Sequence, residues 1–341
     1  MLVTPESQRR NQRHAFTATL LVAGTAGWLT WLFPLLWPLL GLCPLAYRWV
    51  RRPCLRRMEI MRQPFPEERE GILRAHVAFF LALDEAGKIR FRQLVQIFLD
   101  EIRITGIRTD VDETIRVLVA ASAIIPVFGF HDWDYHRLHE VLIYPDAFDD
   151  AYRTKGGADE HILGMVGLHH LSGVMILSKP ALLAGFSQQP GTHNVGVHEF
   201  AHLVEQEAVE YGLPPEVPWM AVRQWVRYVA RELAHPSPRR THVSEYAYTN
   251  EHEFFAVLAE YFFTSPERLK RRDPALYALL RDLFHQDTGA LLPSLSWQRK
   301  GLSRNASCPC GSGRKYKHCC LKKTGANGRN TETTESASGG Q

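Results

Sequence analysis

The longest apolar pattern in the chain lies near its N-terminus. Residues 15–47 contain no charged side chain, and residues 16–34 are about as long as a bilayer-spanning helix, which needs roughly 20 apolar residues. A cleavable signal peptide is the competing interpretation, but the apolar run is too long for one and residues 23–26 match a cleavage site poorly. We therefore predict that residues 15–50 anchor the chain in a membrane, behind a basic flank at residues 1–14.

Three prolines leave the second half of this segment open to several structures. Pro34, Pro38 and Pro44 are compatible with a kinked continuation, a second short span that forms a hairpin, or an interfacial segment. Six arginines follow between residues 48 and 62, and they form a stronger basic flank than the one before the segment. The positive-inside rule then places the large C-terminal part in the cytoplasm. The arginines are alternatively a solvated linker over residues 51–65, and basic residues on both flanks also suit a hairpin.

The periodicity beyond Pro66 is that of a globular domain, which we place at residues 66–295. Apolar residues three or four apart predict helices within residues 67–123. Short apolar or alternating runs predict strands at residues 102–107, 141–144 and 173–178. Three further helices are predicted at residues 195–211, 219–234 and 250–263. The last of the three strands is either an interior strand or an edge to which an extended peptide substrate pairs.

The helix at residues 195–211 carries the sequence His-Glu-Phe-Ala-His. His198 and His202 are four positions apart and therefore project from one helix face, so both imidazoles can reach one zinc ion. Glu199 lies between them, where a carboxylate can act on a zinc-bound water. The chain has 16 histidines, so a chance match is the alternative. Burying this polar set on an otherwise apolar helix would be costly without a metal or a partner, which favours a site.

A third zinc ligand is expected from the strongly apolar helix further along the chain. Glu253 is the predicted ligand, because a carboxylate from a following helix commonly completes a site with two histidines on the first helix. Its alternative role is a capping box with Asn250 at the N-cap. Glu251 and His252 are competitors in the same turn. Glu260, seven residues after Glu253 and on the same face, is a candidate for orienting a ligand histidine.

A second metal motif lies near the C-terminus. Four of the six cysteines fall within thirteen residues, which indicates a structural zinc site better than a disulfide framework. The segment is too small to bury a core, so metal binding would supply most of its folding energy. The predicted ligands are Cys308, Cys310, Cys319 and Cys320, with His318 as a substitute for one of the last two. Residues 323–341 are rich in Gly, Ser, Thr and Asn and are predicted to be disordered.

Charge and composition restrict the classes of partner. The net charge is only +4, and its basic residues concentrate at the two ends of the chain. This distribution favours local contacts with a membrane or a partner, and we expect no sequence-specific DNA binding. The basic residues of the C-terminal motif suit an acidic protein or a ribosomal RNA surface, or are simply solvated.

Three stretches together resemble the MtfA-type zinc metallopeptidases, also called the Mlc titration factor A family. They are residues 139–145, 193–202 and 253–263, and their order and spacing also agree. The resemblance covers about residues 64–290. It implies a compact α+β domain, mostly helical and zincin-like (gluzincin-type) with a small sheet, related in its catalytic core to the anthrax lethal factor protease. Some family members have been linked to binding a transcriptional repressor of sugar uptake.

The resemblance also implies roles for individual residues. It implies that His198, His202 and Glu253 bind the catalytic zinc and that Glu199 is the general base. It further implies that Tyr246, seven positions before the third ligand, stabilises the transition state. Tyr248 is a neighbour that could be confused with Tyr246. The sequence departs from the family at Glu205, where members usually carry Asp shortly after the second histidine.

The C-terminal motif resembles the SEC-C motif at the end of the SecA translocation ATPase. This likeness covers residues 303–322 and implies that the four cysteines bind zinc. The chain is thus predicted to hold two zinc ions, one catalytic and one structural, and to act on a peptide or protein substrate at the cytoplasmic face of a bacterial inner membrane. Two alternatives stay open. One is a regulatory protein that sequesters a partner such as a transcriptional repressor, and the other is a secretion-linked adaptor acting through the SEC-C motif.

Overall fold

The structure, a computed structural model, describes residues 2–146, 164–166, 173–187, 193–235 and 244–292, together with Lys315. The described chain is mostly helical with one small sheet, so the predicted α+β class is confirmed. Among the described residues, 3-10 helices occur at Pro34–Gly41 and Glu245–Tyr248. The α-helices are α1 (Pro5–Leu32), α2 (Leu42–Arg62), α3 (Glu67–His76), α4 (Ala78–Ala82), α5 (Glu85–Glu101), α6 (Glu113–Val127), α7 (Lys179–Gly185), α8 (Val195–Tyr211), α9 (Trp219–Ala234), α10 (Glu251–Thr264), α11 (Pro266–Arg272), α12 (Pro274–Phe284) and α13 (Thr288–Leu291).

The sheet has four described strands in the order β1-β2-β4-β3. They are β1 (Arg103–Gly106), β2 (Glu140–Tyr144), β3 (Gly164–Val166) and β4 (Val174–Ser178). Strand β2 pairs in parallel with β1 and β4, whereas β3 runs antiparallel to β4. The three predicted strands are therefore present, and β3 is an addition that the sequence pattern does not reveal. Because β3 occupies the outer position, β4 is an interior strand and has no free edge for a peptide substrate.

Helices α6 and α8 cross at the centre of the core. Nearly every residue of α6 is buried, and Phe200 of α8 packs its ring 5.8 Å from that of Phe98 and 5.4 Å from that of Tyr135. The helices approach closely at Gly196, where a Cβ atom would lie 2.2 Å from the Oγ of Ser122. A residue without a side chain is thus required two positions before His198, and this contact fixes the depth of α8 in the core.

The N-terminal segment is a pair of long helices. Helix α1 is long and apolar enough to cross a membrane, by length and composition alone, and only Ala15 and Ala26 of it are buried. Helix α2 packs against α1 and continues to Arg62, where it contacts α5. The basic stretch after residue 50, predicted as a linker, is therefore largely helical. The cysteine motif at residues 308–320 lies outside the described residues apart from Lys315.

Candidate metal centre

Helix α8 begins with a side-chain cap that sets the position of the first histidine. The Oδ1 of Asn194 accepts a hydrogen bond from the backbone N–H of Val197 at 3.0 Å, which satisfies one of the open donors of the first turn. From this start the helix runs without interruption through His198 and His202. Their rings pack edge to face with centroids 4.9 Å apart, so the two imidazoles share one face, as the spacing predicts.

The two histidines and Glu253 converge on one point. The Nε2 of His198 lies 3.2 Å from the Oε2 of Glu253, and the Nε2 of His202 lies 3.6 Å from the same oxygen. One ligand atom from each residue lies within 4.8 Å of the other two, and among the described residues these three form the one group with such geometry. The histidine pair on α8 and the carboxylate on α10 thus form a compact set of candidate metal ligands.

Glu253 contributes its backbone to the cap of α10 and directs its side chain to the histidines. Its backbone N–H donates a hydrogen bond of 2.9 Å to the Oδ1 of Asn250, the N-cap of α10. Its side chain points to the histidines instead of folding back on the cap. Burial raises the pKa of Glu253, but hydrogen bonds from His198 and His202 outweigh burial and hold it well below its usual range. The carboxyl is therefore ionised, as a metal ligand must be.

Glu260 lies behind the candidate ligands and joins His198 to the start of α8. Its Oε1 accepts hydrogen bonds from the backbone N–H of Asn194 at 2.7 Å and from the Nδ1 of His193 at 3.1 Å. Its Oε2 lies 3.5 Å from the Nδ1 of His198. Burial opposes ionisation of Glu260, but these histidine contacts lower its pKa to about 2. A charged carboxylate on Nδ1 leaves the Nε2 of His198 as the atom that faces Glu253, as in metal sites generally.

The electrostatics of His198 follow from its position between two carboxylates. Burial lowers the pKa of this imidazole, yet hydrogen bonds to Glu253 and Glu260 raise it to about 10. Without a metal, the ring is therefore a cation held by two anions. If a divalent ion were bound by the Nε2 of His198, it would take the place of that proton.

Glu199 is a buried carboxyl of α8 that lies between the two histidines in sequence and is not part of the ligand group. Its side chain is 5% exposed, and burial raises its pKa above the ordinary value of a glutamate. The neighbouring His198 and His202 lower this pKa, whereas the charges of Glu253 and Glu260 raise it further. A carboxyl with a raised pKa beside a metal site is suited to accept and return a proton.

Tyr246 lies beside the cluster and is exposed. The 3-10 helix Glu245–Tyr248 places its ring with the centroid 6.3 Å from that of His198, and the side chain is 55% exposed. Tyr248, the neighbour that could be confused with it, is instead half-buried and packs edge to face on Phe254. The exposed ring of Tyr246 is thus the one beside the candidate ligands.

The other candidates in this region take different roles. The Nδ1 of His252 donates a hydrogen bond to the Oε2 of Glu205 at 2.9 Å, and His252 is not part of the ligand group. Glu205, the position at which the chain departs from the family pattern, therefore holds α10 against α8. Glu251 contributes instead to the rim of an apolar groove of about 570 Å³ between α8, α9, α10 and α12, whose wall includes Val204, Ala208, Trp225, Val229 and Phe255.

Two supporting contacts escape the motif-based prediction. His193 and Asn194, which lie just before α8, donate hydrogen bonds to Glu260 of α10. No local sequence pattern indicates this contact. Glu207 of α8 is buried and receives hydrogen bonds from the Nδ1 of His136 and the backbone N–H of Arg137, both at 3.0 Å. The sequence offers one indication of these contacts, which is Asn194, because an asparagine before a helical run is a common N-cap.

With this geometry in hand, comparison with known proteins identifies the family. Residues 49–285 match the glucose-regulated metallo-peptidase M90 family. The chain belongs to this family. The match begins within α2 and ends just after α12, so it includes His198, His202 and Glu253. Residues 304–322 match the SEC-C motif. The resemblance to the MtfA-type family and to the SEC-C motif is thus confirmed.

Individual relatives agree with this assignment. The chain is 26% identical over 245 residues to the uncharacterized protein slr2042 of Synechocystis sp. (strain ATCC 27184 / PCC 6803 / Kazusa), which covers 67% of this chain and 87% of that protein. It is 28% identical over 219 residues to the Mlc titration factor A of Enterobacter sp. (strain 638), with 61% and 81% covered. It is 29% identical over 186 residues to the Mlc titration factor A of Pectobacterium atrosepticum, with 51% and 68% covered.

Proposed function

We propose that the chain hydrolyses peptide bonds in a zinc-dependent reaction in which Glu199 is the general base. The observation that carries this proposal is the convergence of His198, His202 and Glu253 on one point. The buried carboxyl of Glu199 lies on α8, the helix that carries both histidines. Membership of a metallo-peptidase family supports the same chemistry. The substrate is accordingly a peptide or a protein.

The three candidate ligands fit a zinc ion. Bonds of about 2.0–2.1 Å in tetrahedral geometry place two ligand atoms about 3.3 Å apart, and the Nε2 atoms of His198 and His202 lie 3.2 and 3.6 Å from the Oε2 of Glu253. Two imidazoles and one carboxylate are also the donor set of catalytic zinc sites that keep one position open. When bound, zinc supplies a Lewis acid that lowers the pKa of a water molecule and polarises a peptide carbonyl.

The side chains around the zinc position supply the proton transfers and the charge stabilisation. Glu199 accepts a proton from the attacking water and returns it to the leaving amine, a cycle that its raised pKa favours. The hydroxyl of Tyr246 donates a hydrogen bond to the carbonyl oxygen as negative charge develops there. Glu260 holds the His198 ring in the orientation that directs Nε2 into the site.

The test is the variant Glu199→Gln, which keeps the size of the buried side chain and removes the base. We expect it to retain zinc at the wild-type level and to lose peptide hydrolysis by at least 100-fold. The matched control is Glu207→Gln, because Glu207 is also a buried glutamate of α8 but contacts His136 and Arg137 instead of the ligands. Wild-type cleavage by Glu199→Gln would overturn the mechanism.

We also propose that residues 15–50 anchor the chain in the inner membrane of a bacterium, with the peptidase domain, residues 66–295, in the cytoplasm. The length and apolar composition of α1 support the anchor, and the arginines that follow it support the orientation. The expected result is that the full chain stays with membranes through an alkaline carbonate wash. Release into the soluble fraction would overturn the anchor.

A structural zinc at Cys308, Cys310, Cys319 and Cys320 completes the proposal, and the SEC-C match supports it. Metal analysis of the purified full chain should give two zinc ions per chain. Cys310→Ser should give one and leave peptide hydrolysis unchanged. If the wild-type chain and Cys310→Ser both contained one zinc ion, the proposal of a second zinc site would be wrong.

A regulatory binding protein is the second candidate, because relatives carry the name Mlc titration factor A, which points to a protein partner. The buried Glu199 and the position of Tyr246 favour hydrolysis, since sequestration of a partner needs neither. The same Glu199→Gln variant separates the two functions, because a sequestering protein would retain its partner and its cellular effect. A secretion-linked adaptor role would require that deletion of residues 303–341 changes the bound partners.

A further inference from the structure

The apolar N-terminal segment is a hairpin of two antiparallel arms. The chain reverses at Phe33, whose carbonyl accepts a hydrogen bond of 2.9 Å from the N–H of Leu36. Near the open end, the Nδ2 of Asn11 donates to the carbonyl of Val50 at 3.3 Å and ties α1 to α2. Closer to the turn, Val22 lines one groove together with Leu42. The second arm therefore returns along the first and does not extend away from it.

Both arms end against the same side of the peptidase domain. On the first arm, the guanidinium of Arg10 forms an ion pair with Asp132, and Leu2 packs against the core. The second arm is held by α5, because the Nε of Arg56 donates to Asp100 at 2.7 Å.

Arg57 reinforces the attachment of the second arm. Its Nη2 donates to Glu101 at 2.9 Å and its Nη1 to Asp134 at 3.0 Å. Burial lowers the pKa of Arg57, but these carboxylates outweigh burial and raise it above its ordinary value. The N-terminus and the start of the domain thus meet at the open end of the hairpin.

The lengths of the two arms match each other and a bilayer. The charge-free part of α1, residues 15–32, rises about 27 Å at about 1.5 Å per residue. The returning arm, residues 34–47, rises about 25 Å, because its 3-10 turns advance about 2 Å per residue. The hydrocarbon core of a bilayer is about 30 Å thick. Each arm therefore reaches through most of the hydrocarbon before the chain turns or becomes charged.

The charged, aromatic and apolar side chains occur along the hairpin in the order expected from the water phase, interface and hydrocarbon of a bilayer. Arginines surround the open end, and tryptophans lie near the turn, where Trp31 is 79% exposed. The turn itself is apolar, and Leu35 within it is 89% exposed. Aromatic side chains favour membrane interfaces and arginines favour the aqueous phase. A contiguous exposed apolar surface of this kind is unfavourable in water, so its occupant is lipid.

We propose that residues 15–47 enter and leave the bilayer through one face, so that the N-terminus and the peptidase domain lie on the same side. The inference rests on the proposed membrane anchor and specifies its topology. A single span would carry the N-terminus to the opposite side, which would break the contacts of Arg10 with Asp132 and of Asn11 with Val50. It would also place three arginines before residue 14 on the side that the positive-inside rule disfavours.

The test uses the full chain in sealed membrane vesicles of both orientations and a membrane-impermeant maleimide, with labelled peptides identified by mass spectrometry. Glu6→Cys reports the N-terminus, Glu267→Cys on α11 reports the peptidase domain, and Leu35→Cys reports the turn. We expect Glu6→Cys and Glu267→Cys to be labelled in the same vesicle orientation, and Leu35→Cys to be protected in both. Native Cys43 on the returning arm should be protected as well.

The outcomes separate the topology from the anchor. Vesicles are washed with alkaline carbonate before labelling, so loss of the protein at that step would overturn the anchor and the hairpin together. Retention with labelling of Glu6→Cys and Glu267→Cys in opposite orientations would overturn the hairpin alone. Labelling of Leu35→Cys from the side opposite the domain would show that the turn emerges, which would overturn an entirely intramembrane tip. Peptidase activity, measured separately, decides the catalytic proposal.

Discussion

Replacing Glu260 by glutamine should weaken zinc binding without disturbing the fold. The change keeps the shape of a buried side chain that contacts Asn194, His193 and His198. The glutamine oxygen still accepts the hydrogen bond from the N–H of Asn194, so the start of α8 stays in place. The side-chain amide nitrogen then faces the Nδ1 of His198. Since that atom carries a proton when Nε2 binds a metal, two donors meet and the orienting bond is lost.

The magnitude follows from the charge state of His198 in the zinc-bound protein. A cationic imidazole 3.5 Å from a carboxylate would contribute about 5 kcal/mol at an effective dielectric constant of about 20. With zinc bound, however, the imidazole is a neutral donor, and a hydrogen bond to a charged acceptor contributes about 1.5–3 kcal/mol. Loss of such a partner typically lowers metal affinity by about 10- to 100-fold. The 3.5 Å separation is long for a hydrogen bond, so we expect about tenfold.

The assay is competition for zinc between the full chain in detergent micelles and a chromophoric chelator. Thermal unfolding in EDTA checks that the metal-free fold is intact. Glu207→Gln is the matched control, because it neutralises another buried carboxyl of α8 that contacts His136 and Arg137, and its zinc affinity should stay within about twofold of wild type. Equal zinc affinity of Glu260→Gln and wild type, or an equal loss in both variants, would refute the reasoning.

Three further predictions concern the same centre. The pKa of metal-free His198 is raised to about 10, so zinc must displace a proton from this ring at any lower pH. Chelator competition should therefore show a zinc affinity that rises up to about tenfold per pH unit from pH 7 to 9. A zinc affinity that does not change with pH would contradict this. Gly196→Ala should lower the free energy of unfolding, measured with denaturant, by about 1–3 kcal/mol, because its Cβ would clash with Ser122. The additional change Ser122→Gly should restore most of the lost stability. Tyr246→Phe should lower kcat by about 100-fold with little change in KM; unaltered kcat would exclude the tyrosine from the reaction.

Local pattern was enough to predict the helices that carry the site. Helix α8 has the predicted bounds because glycine and proline stop it at residues 212–214, and Gly212 adopts a φ of 98° that favours glycine. The histidine spacing then determines that both rings share a face, whatever the tertiary structure. Strand β3 escaped prediction because its three residues are too few to show an alternation.

Contacts between distant segments could not be predicted in this way. The hairpin depends on pairs such as Arg10 with Asp132 and Arg56 with Asp100, which join residues far apart in the chain. The prolines at residues 34–44 permit a kinked continuation or a turn alike, so only these tertiary contacts show that the chain turns back. The burial of Glu207 under His136 is likewise a property of packing, because nothing in the local pattern marks it as buried.

The two glutamates of α10 show how one helix can contact both nitrogens of a candidate ligand histidine. Glu253 and Glu260 are two turns apart on one face, about 10 Å along the axis, yet both contact His198, Glu253 at Nε2 and Glu260 at Nδ1. An imidazole ring lying between two carboxylates has its rotation fixed at both nitrogens. The cap at Asn250 fixes where α10 starts, and so where both carboxylates lie relative to the ring. Capping and the proposed metal binding are therefore compatible at Glu253, because the cap uses its backbone and a metal would use its side chain.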